Sequence, residues 1–512
     1  MFYKIISTLH KVVGCILCIL FFMWFASGIV MIYHSFPRAS QEKYMENQLI
    51  LSADLPAVDS LRASFPDTVA ISGLQVEMYL DKPVFVMDGM EGKERYDASD
   101  CKLITETIDM TVRSWCSAPV ESIDTLTDID QWIPFGRNRD DLPVYRYNFA
   151  DSDKHQLYVS SQTGKVLQFT TSDERFWAWV GAIPHWVYFT MLRAEQDVWI
   201  NFVKWAAGIG CIMCLLGFVL AIRIAIKGKG IKKKVLPYKK KWFNWHYVTG
   251  MVFGLCAITF AFSGMMSLMD IPDFLKKAPV EKTVDDHHSK EKGKDKDKGR
   301  GGRRGGPGRF GFGGGPVDFE AYALDYRKAV SAYPNAKTIA WCNRKGHPYY
   351  QLNVEGKIFN IDATDSLVAK PFTITQQMVE DEMAKTYGDS LKYTIARIDE
   401  FDDDYFSLKV EENSLPVYRV IVEDYMNTRH YINPVTLQER RVDDDSRTRH
   451  LLYRALHTLE FKFLTDRPWL WNIVMYTLLI GGTMFSITGV VLSFKWLWRI
   501  VSRPFRRRKN KK

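Results

Sequence analysis

Apolar residues in this chain gather into four runs separated by long polar stretches. Val12–Tyr33 carries no charge; Trp205–Ile222, led into by Trp199–Lys204, comes next, then Tyr247–Met269 and Trp469–Phe494. Each run is long enough to cross a hydrocarbon layer of about 30 Å as a helix, so four membrane spans are predicted. The first run is too long for the apolar core of a signal peptide, and no small-x-small cleavage site follows it. Its exit, Tyr33-His34-Ser35-Phe36-Pro37, reads as the end of an anchored helix rather than of a removed leader.

Between the spans the pattern changes period. Four segments begin on a proline followed by alternating residues, at Pro83 (KPVFVMDG), Pro143 (LPVYRYNF), Pro348 (HPYYQLNV) and Pro416 (LPVYRVIV). Alternation with a second strand about ten residues on is the signature of half-buried antiparallel pairs. Helical stretches such as Val317–Ala332 precede some of them, so each unit reads as helix plus small antiparallel sheet. Asp285–Gly315 is Gly- and Lys-rich and nearly free of apolar residues, which predicts a disordered insertion. Its His287-His288 pair reads as solvated linker before it reads as a metal site.

Charge orients these elements. Arg223–Lys241 holds nine positive residues and no acid, and Lys495–Lys512 holds nine more and no acid. With Lys4 and Lys11 that places twenty positive charges on one side of the membrane, and against a net charge of +9 everything else sums to −11. Short basic segments stay cytoplasmic, so both termini are predicted inside. The basic character is therefore a topology signal and a contact with lipid headgroups, with no nucleic-acid partner implied. The predicted fold class is a membrane α-helical protein with four transmembrane helices in two tandem repeats and two external α+β domains. The boundaries are 1–33, 199–226, 244–269 and 469–497 for the helices, with 34–198 and 270–468 outside and 227–243 and 498–512 inside.

Eight cysteines change little. Cys15, Cys18, Cys211, Cys214 and Cys256 lie in apolar runs, where their C-x-x-C spacings read as small packing residues. Cys101, Cys116 and Cys342 face outside, where a Cys101–Cys116 disulfide is one option in an oxidising compartment.

The runs are not independent. Leu9-His10-Lys11-Val12-Val13-Gly14 matches Trp245-His246-Tyr247-Val248-Thr249-Gly250, and Ser27-Gly28 matches Ser263-Gly264 at the same offset of 236. Further on, Leu142–Arg146 recurs as Leu415–Arg419, Pro184–Phe189 meets Leu456–Phe461, and Trp199 falls on Trp471. Four of the eleven histidines thereby form two pairs: His10 with His246 at the inner mouths of helices one and three, and His185 with His457 just outside helices two and four. A single interfacial histidine is most simply a hydrogen-bonding anchor. Two repeats related by an axis along the membrane normal would instead set each pair face to face, as bis-histidine haem ligation requires. Gly14 and Gly250, one turn beyond His10 and His246, suit either a flat macrocycle or close helix packing. His34, opposite Asp270, is a lesser candidate for the outer pair.

The L-H-x-x-x-G and S-G pair of helix one, its recurrence in helix three, and the L-H-x-x-x-F before helix four resemble the PepSY-associated transmembrane helix family. The resemblance covers nearly the whole chain apart from the Gly/Lys insertion, and the four Pro-aromatic units look like PepSY domains. It implies a bacterial inner-membrane protein similar to ferric-siderophore reductases, which carry b-type haems between their helices. Carried over, two haems b would take ligands from His10, His246, His185 and His457. Here Pro184–Val198 and Leu456–Pro468 lack the family's usual glycines.

The first functional reading is thus electron transfer to a ferric chelate, such as iron–siderophore, on the periplasmic side. No nucleotide or flavin fingerprint is present, so a quinol or cytoplasmic donor is implied; Gly208-Ile209-Gly210 lies inside a span. The alternatives are a non-enzymatic PepSY module that binds or restrains an envelope partner, and an accessory subunit of iron uptake. No catalytic acid, base or nucleophile stands out; Asp402–Asp404 and Asp443–Asp445 read as solvated loops or weak cation sites.

Overall fold

The computed structural model describes residues 1–66, 70–89, 92–228, 230, 235–277, 316–388, 390–406 and 413–509. The predicted insertion Asp285–Gly315, with His287 and His288, lies outside them. Four long helices carry the apolar runs: helix one Phe2–Met31, helix two Gln196–Lys227, helix three Lys241–Met266 and helix four Pro468–Lys509. Each is long and apolar enough to span a membrane, helix four over Pro468–Ser502. Helices one and two outrun their apolar stretches because Lys4, Lys11, Lys204 and Arg223 change polarity without interrupting backbone hydrogen bonding.

The chain divides into two compact units. Unit one comprises Met1–Arg38, Val120–Leu275 and Ser446–Lys512; unit two comprises Ala39–Pro119 and Lys276–Asp445. In unit one, helix one packs on helices two and four, and helix three also packs on two and four, so one and three stand diagonally across the bundle. Small residues line the buried faces, among them Ser27, Gly28, Ala206, Ala207, Gly210, Ala257 and Ser263. Close approach of backbones is what small residues permit where lipid removes the usual hydrophobic drive. Two short segments lead into helices two and four. Ala182–Trp186 follows helix Ser172–Val180, which opens on a reciprocal Thr171/Glu174 capping box. The other begins with a turn of π-helix over His450–Ala455.

The proline-initiated segments all become the second strand of an antiparallel set. Unit one contains β4 (Val120–Leu126), β5 (Val144–Phe149), β6 (Gln156–Ser160) and β7 (Val166–Thr170) in that order, with Pro143 entering β5. Unit two holds a matching sheet of β11 (Tyr393–Ile398), β12 (Val417–Val422), β13 (Arg429–Ile432) and β14 (Glu439–Val442), with Pro416 entering β12.

Its other sheet has six strands. β1 (Gln75–Tyr79), β2 (Lys82–Asp88) and β3 (Lys93–Asp97) meet β8 (Ala336–Arg344), β9 (His347–Val354) and β10 (Lys357–Asp362) in the order β10-β9-β8-β1-β2-β3. The seam pairs Gln75 with Ala340, Val76 with Ile339 and Glu77 with Thr338. Strand alternation finds both sets of three but not their union. β1 is buried along its whole length, and a fully buried strand requires a ladder on both edges. Val76, Phe85, Ile339 and Leu352 form part of the common core. Cys101 is a reduced thiol in the same core, so the Cys101–Cys116 bond is not formed.

Candidate functional site

Helix periodicity puts His10 and His246 on faces that turn toward the bundle axis. Their rings stand 6.1 Å apart, centre to centre. The rings of His185, on the short Ala182–Trp186 helix, and His457, beyond the π-helical turn, also stand 6.1 Å apart. Two imidazoles sharing one metal ion through Nε2 at about 2 Å each would have ring centres roughly 5–6 Å apart, depending on the angle at the ion. Both spacings agree with that figure.

The hydrogen bonds fix which nitrogen is available. His10 Nδ1 lies 3.0 Å from the Met213 carbonyl oxygen, an acceptor only, so Nδ1 carries the hydrogen. His185 Nδ1 lies 3.1 Å from the Trp24 carbonyl and 3.2 Å from Ser27 Oγ, whose own hydrogen goes to the Met23 carbonyl. His457 Nδ1 repeats this with the Phe260 carbonyl at 3.3 Å and Ser263 Oγ at 3.1 Å. His246 Nδ1 donates to Thr488 Oγ1 at 2.9 Å, because that hydroxyl is itself donating to the Phe485 carbonyl. All four imidazoles therefore present the Nε2 lone pair, with Nδ1–H held by an oxygen, the usual arrangement of a metal-bound histidine. Burial, then His457 alongside, pushes the pKa of His185 down to about 4, and burial does the same to His457. Both are neutral, ligand-competent imidazoles at neutral pH.

Glycine and serine explain the approach. The Ser27-Gly28 and Ser263-Gly264 motifs supply the hydroxyl and the room together: a Cβ on Gly28 would meet His185 Cε1 at 3.6 Å, and one on Gly264 would meet His457 Cε1 at 3.4 Å. At the inner pair the tightest position is Gly217 of helix two, where a Cβ would stand 2.5 Å from His10 Cε1. Gly217 was not a candidate from sequence, because a glycine in an apolar run looks the same whether it seats a ring or a neighbouring helix. A cavity of about 240 Å³ holds His10 and His246 on its wall with Gly14, Gly217, Gly250 and Gly489. Gly14 and Gly250 also face neighbouring side chains, Met213 and Phe485, so packing and cavity share these positions. The family model of the PepSY-associated TM region matches residues 118–495.

The chain belongs to the PepSY-associated TM region family. No curated protein matches it. Membership fits the membrane helices and the sheets that lie between them in the chain. In this PepSY-associated protein, contacts near the outer histidines recur at a constant spacing of residue numbers. Trp199 Nε1 donates to the Trp186 carbonyl at 2.8 Å, and Trp471 Nε1 to the Thr458 carbonyl at 2.9 Å, tying each helix start to the residue after its histidine. Val187 and Leu459, each two residues past the histidine, both adopt positive φ, of 55° and 53°. That conformation is costly for a side chain bearing Cβ, above all a β-branched one, and it turns the chain back toward the following helix.

His34 does not join the outer pair. Its ring stacks on Trp177 at 4.3 Å, nearly parallel. Among the described residues one cluster has metal-ligand spacing, Asp151, Asp153 and His155. The Asp151 carboxylate caps the turn to His155, and Asp424 caps Thr428 in the corresponding β12–β13 turn, which is a structural role. Asp402 likewise holds Arg419 and Tyr431, on the two central strands of its sheet.

Proposed function

We propose that this protein is a haem-containing electron-transfer protein of the bacterial inner membrane that reduces a ferric chelate on the periplasmic side. The observation that carries the reading is the pair of facing imidazole couples, alike in ring spacing and tautomer, with every Nδ1–H held by an oxygen. Two tandem repeats account for that likeness: His10 and Ser27 correspond to His246 and Ser263 at an offset of 236, and His185 and Trp199 to His457 and Trp471 at 272.

The residues fit haem b better than a bare metal ion. Each pair offers two nitrogen donors and no carboxylate, a complement that would suit iron already held by a macrocycle. Lys11, Lys495 and Arg499 line the cavity of His10 and His246 without a carboxylate, which would complement a group with acidic substituents. His10 and His246 would hold the inner group, His185 and His457 the outer. Bound haem would supply one-electron redox chemistry. His10 and Ser27 are seventeen residues apart on helix one, which at about 1.5 Å per residue separates the two pairs by roughly 25 Å along the bundle. That is close to the hydrocarbon thickness of about 30 Å, so one pair would serve each face of the membrane. Basic segments at 223–241 and 495–512 argue for cytoplasmic termini, with 34–198 and 270–468 outside. A quinol or cytoplasmic reductant would be the donor.

The test uses the purified full-length protein, reduced with dithionite and freed of excess reductant, then mixed with a ferric hydroxamate or catecholate chelate. Reoxidation of a b-type absorption band with matching release of ferrous iron to a chelating dye is expected. A band that the chelate leaves reduced would keep the haem and reject the substrate. A protein with no such band would return the function to a non-enzymatic PepSY-type module.

A further inference from the structure

Helices one and two frame an open groove at the end that carries the N-terminus. It has a volume of about 930 Å³, with Lys4 and Lys11 on the helix-one wall and Arg223 and Lys227 on the helix-two wall. Spacings of seven and four residues set these cations on the facing sides of the two helices. Tyr3 also lines it and holds the Arg223 guanidinium 3.4 Å from its ring centre, fixing the orientation of that cation. No Asp or Glu lines the groove, and none occurs anywhere in residues 1–41 or 198–269. Among the described residues Lys4, Lys11, Arg223 and Lys227 make no ion pair. Four converging cations without a counter-ion leave a strong positive potential between two apolar helices. Deeper in, the walls become Leu220 and Ile224, so the groove is amphipathic.

We propose that this groove is a specific site for the phosphate headgroup of an anionic phospholipid. The shared chemistry is a phosphate ester. The lipid source is favoured because the charged rim sits at the ends of membrane-crossing helices, where headgroups lie, while Leu220 and Ile224 continue toward the acyl region. Ser7, Lys11, Leu220 and Ile224 line both this groove and the cavity holding His10 and His246. A bound headgroup therefore closes the mouth of the inner histidine site. The proposal does not depend on haem, since the groove and its charges stand without it.

Native mass spectrometry of the full-length protein, released from micelles doped with phosphatidylglycerol or phosphatidylcholine, tests it. One retained phosphatidylglycerol per chain is expected, with phosphatidylcholine lost under the same activation. A surface cation contributes about fivefold to anionic-lipid affinity, so Lys4→Gln, Arg223→Gln and Lys227→Gln combined should weaken retention about a hundredfold. The charge-preserving Lys4→Arg, Arg223→Lys, Lys227→Arg protein should retain the lipid, separating lost charge from lost fold. Equal retention of both lipids, or retention unchanged in the neutralised variant, would overturn the proposal. Displacement of phosphatidylglycerol by millimolar inorganic phosphate would also overturn it, assigning the site to a soluble phosphate.

Discussion

Each candidate ligand is set by the oxygen behind it. At His185 the Trp24 carbonyl and Ser27 hydroxyl hold Nδ1–H together, so Nε2 points away as a lone-pair donor. Removing one of two such supports leaves the tautomer intact but loosens the ring. Ser27→Ala is therefore expected to weaken the outer cofactor about tenfold, the lower end of what second-layer changes cost, and to spare the inner one. Haem transfer to an apo-globin acceptor, followed optically, would read the two populations separately. His246 Nδ1 rests on Thr488 Oγ1 with the Phe485 carbonyl beside it, so Thr488→Val should weaken the inner cofactor to a similar degree. In the sequence the four histidines were legible because they recur. Their supporting carbonyls were not, since a backbone oxygen on a neighbouring helix leaves no mark in the residue pattern. Ser27 and Ser263 stood out as matched positions, but their role needed the fold.

At the scale of elements, helix two shows what hydropathy can and cannot reveal. Its apolar length alone forecasts a span. Which of its glycines meets a histidine depends on the rotation of helix two against helix one, a tertiary quantity. Gly217→Leu would drive a branched side chain onto the His10 ring, already 2.5 Å from a mere Cβ, and should abolish the inner cofactor signal while leaving the outer at full amplitude. Gly208→Ala, where a Cβ would meet only Met265 Sδ at 3.4 Å, should leave both signals in place. The strands follow the same division. Alternation marks the four proline-initiated segments as strands, because period two is local. The antiparallel seam of β1 with β8 joins residues more than 250 positions apart, and no local pattern announces it. Glu77 is buried at that seam and accepts from Arg95 at 3.1 Å, Gln75 and Tyr44, while Arg95 keeps Glu106 as a second carboxylate, so Glu77→Ala should destabilise unit two by about 1–3 kcal/mol through the buried donors it leaves unmet. A lowered thermal midpoint with the optical signals of the folded protein unchanged would check this.

For the whole molecule, the absence of acids from residues 1–41, 198–269 and 467–512 concentrates positive charge at one set of helix ends. On the positive-inside rule a single cysteine placed near Lys512 should resist a membrane-impermeant maleimide in intact cells, and one near Ser152 should react. The central claim is that paired histidines at two depths hold two haems. Its most direct measurement is the dithionite-reduced minus oxidised spectrum of the purified protein, with haem counted per chain by the pyridine haemochrome method. Two b-type haems per wild-type chain are expected, falling to one in His10→Ala and to one in His185→Ala. A haem-free wild-type protein, or full haem content in both variants, would contradict the account.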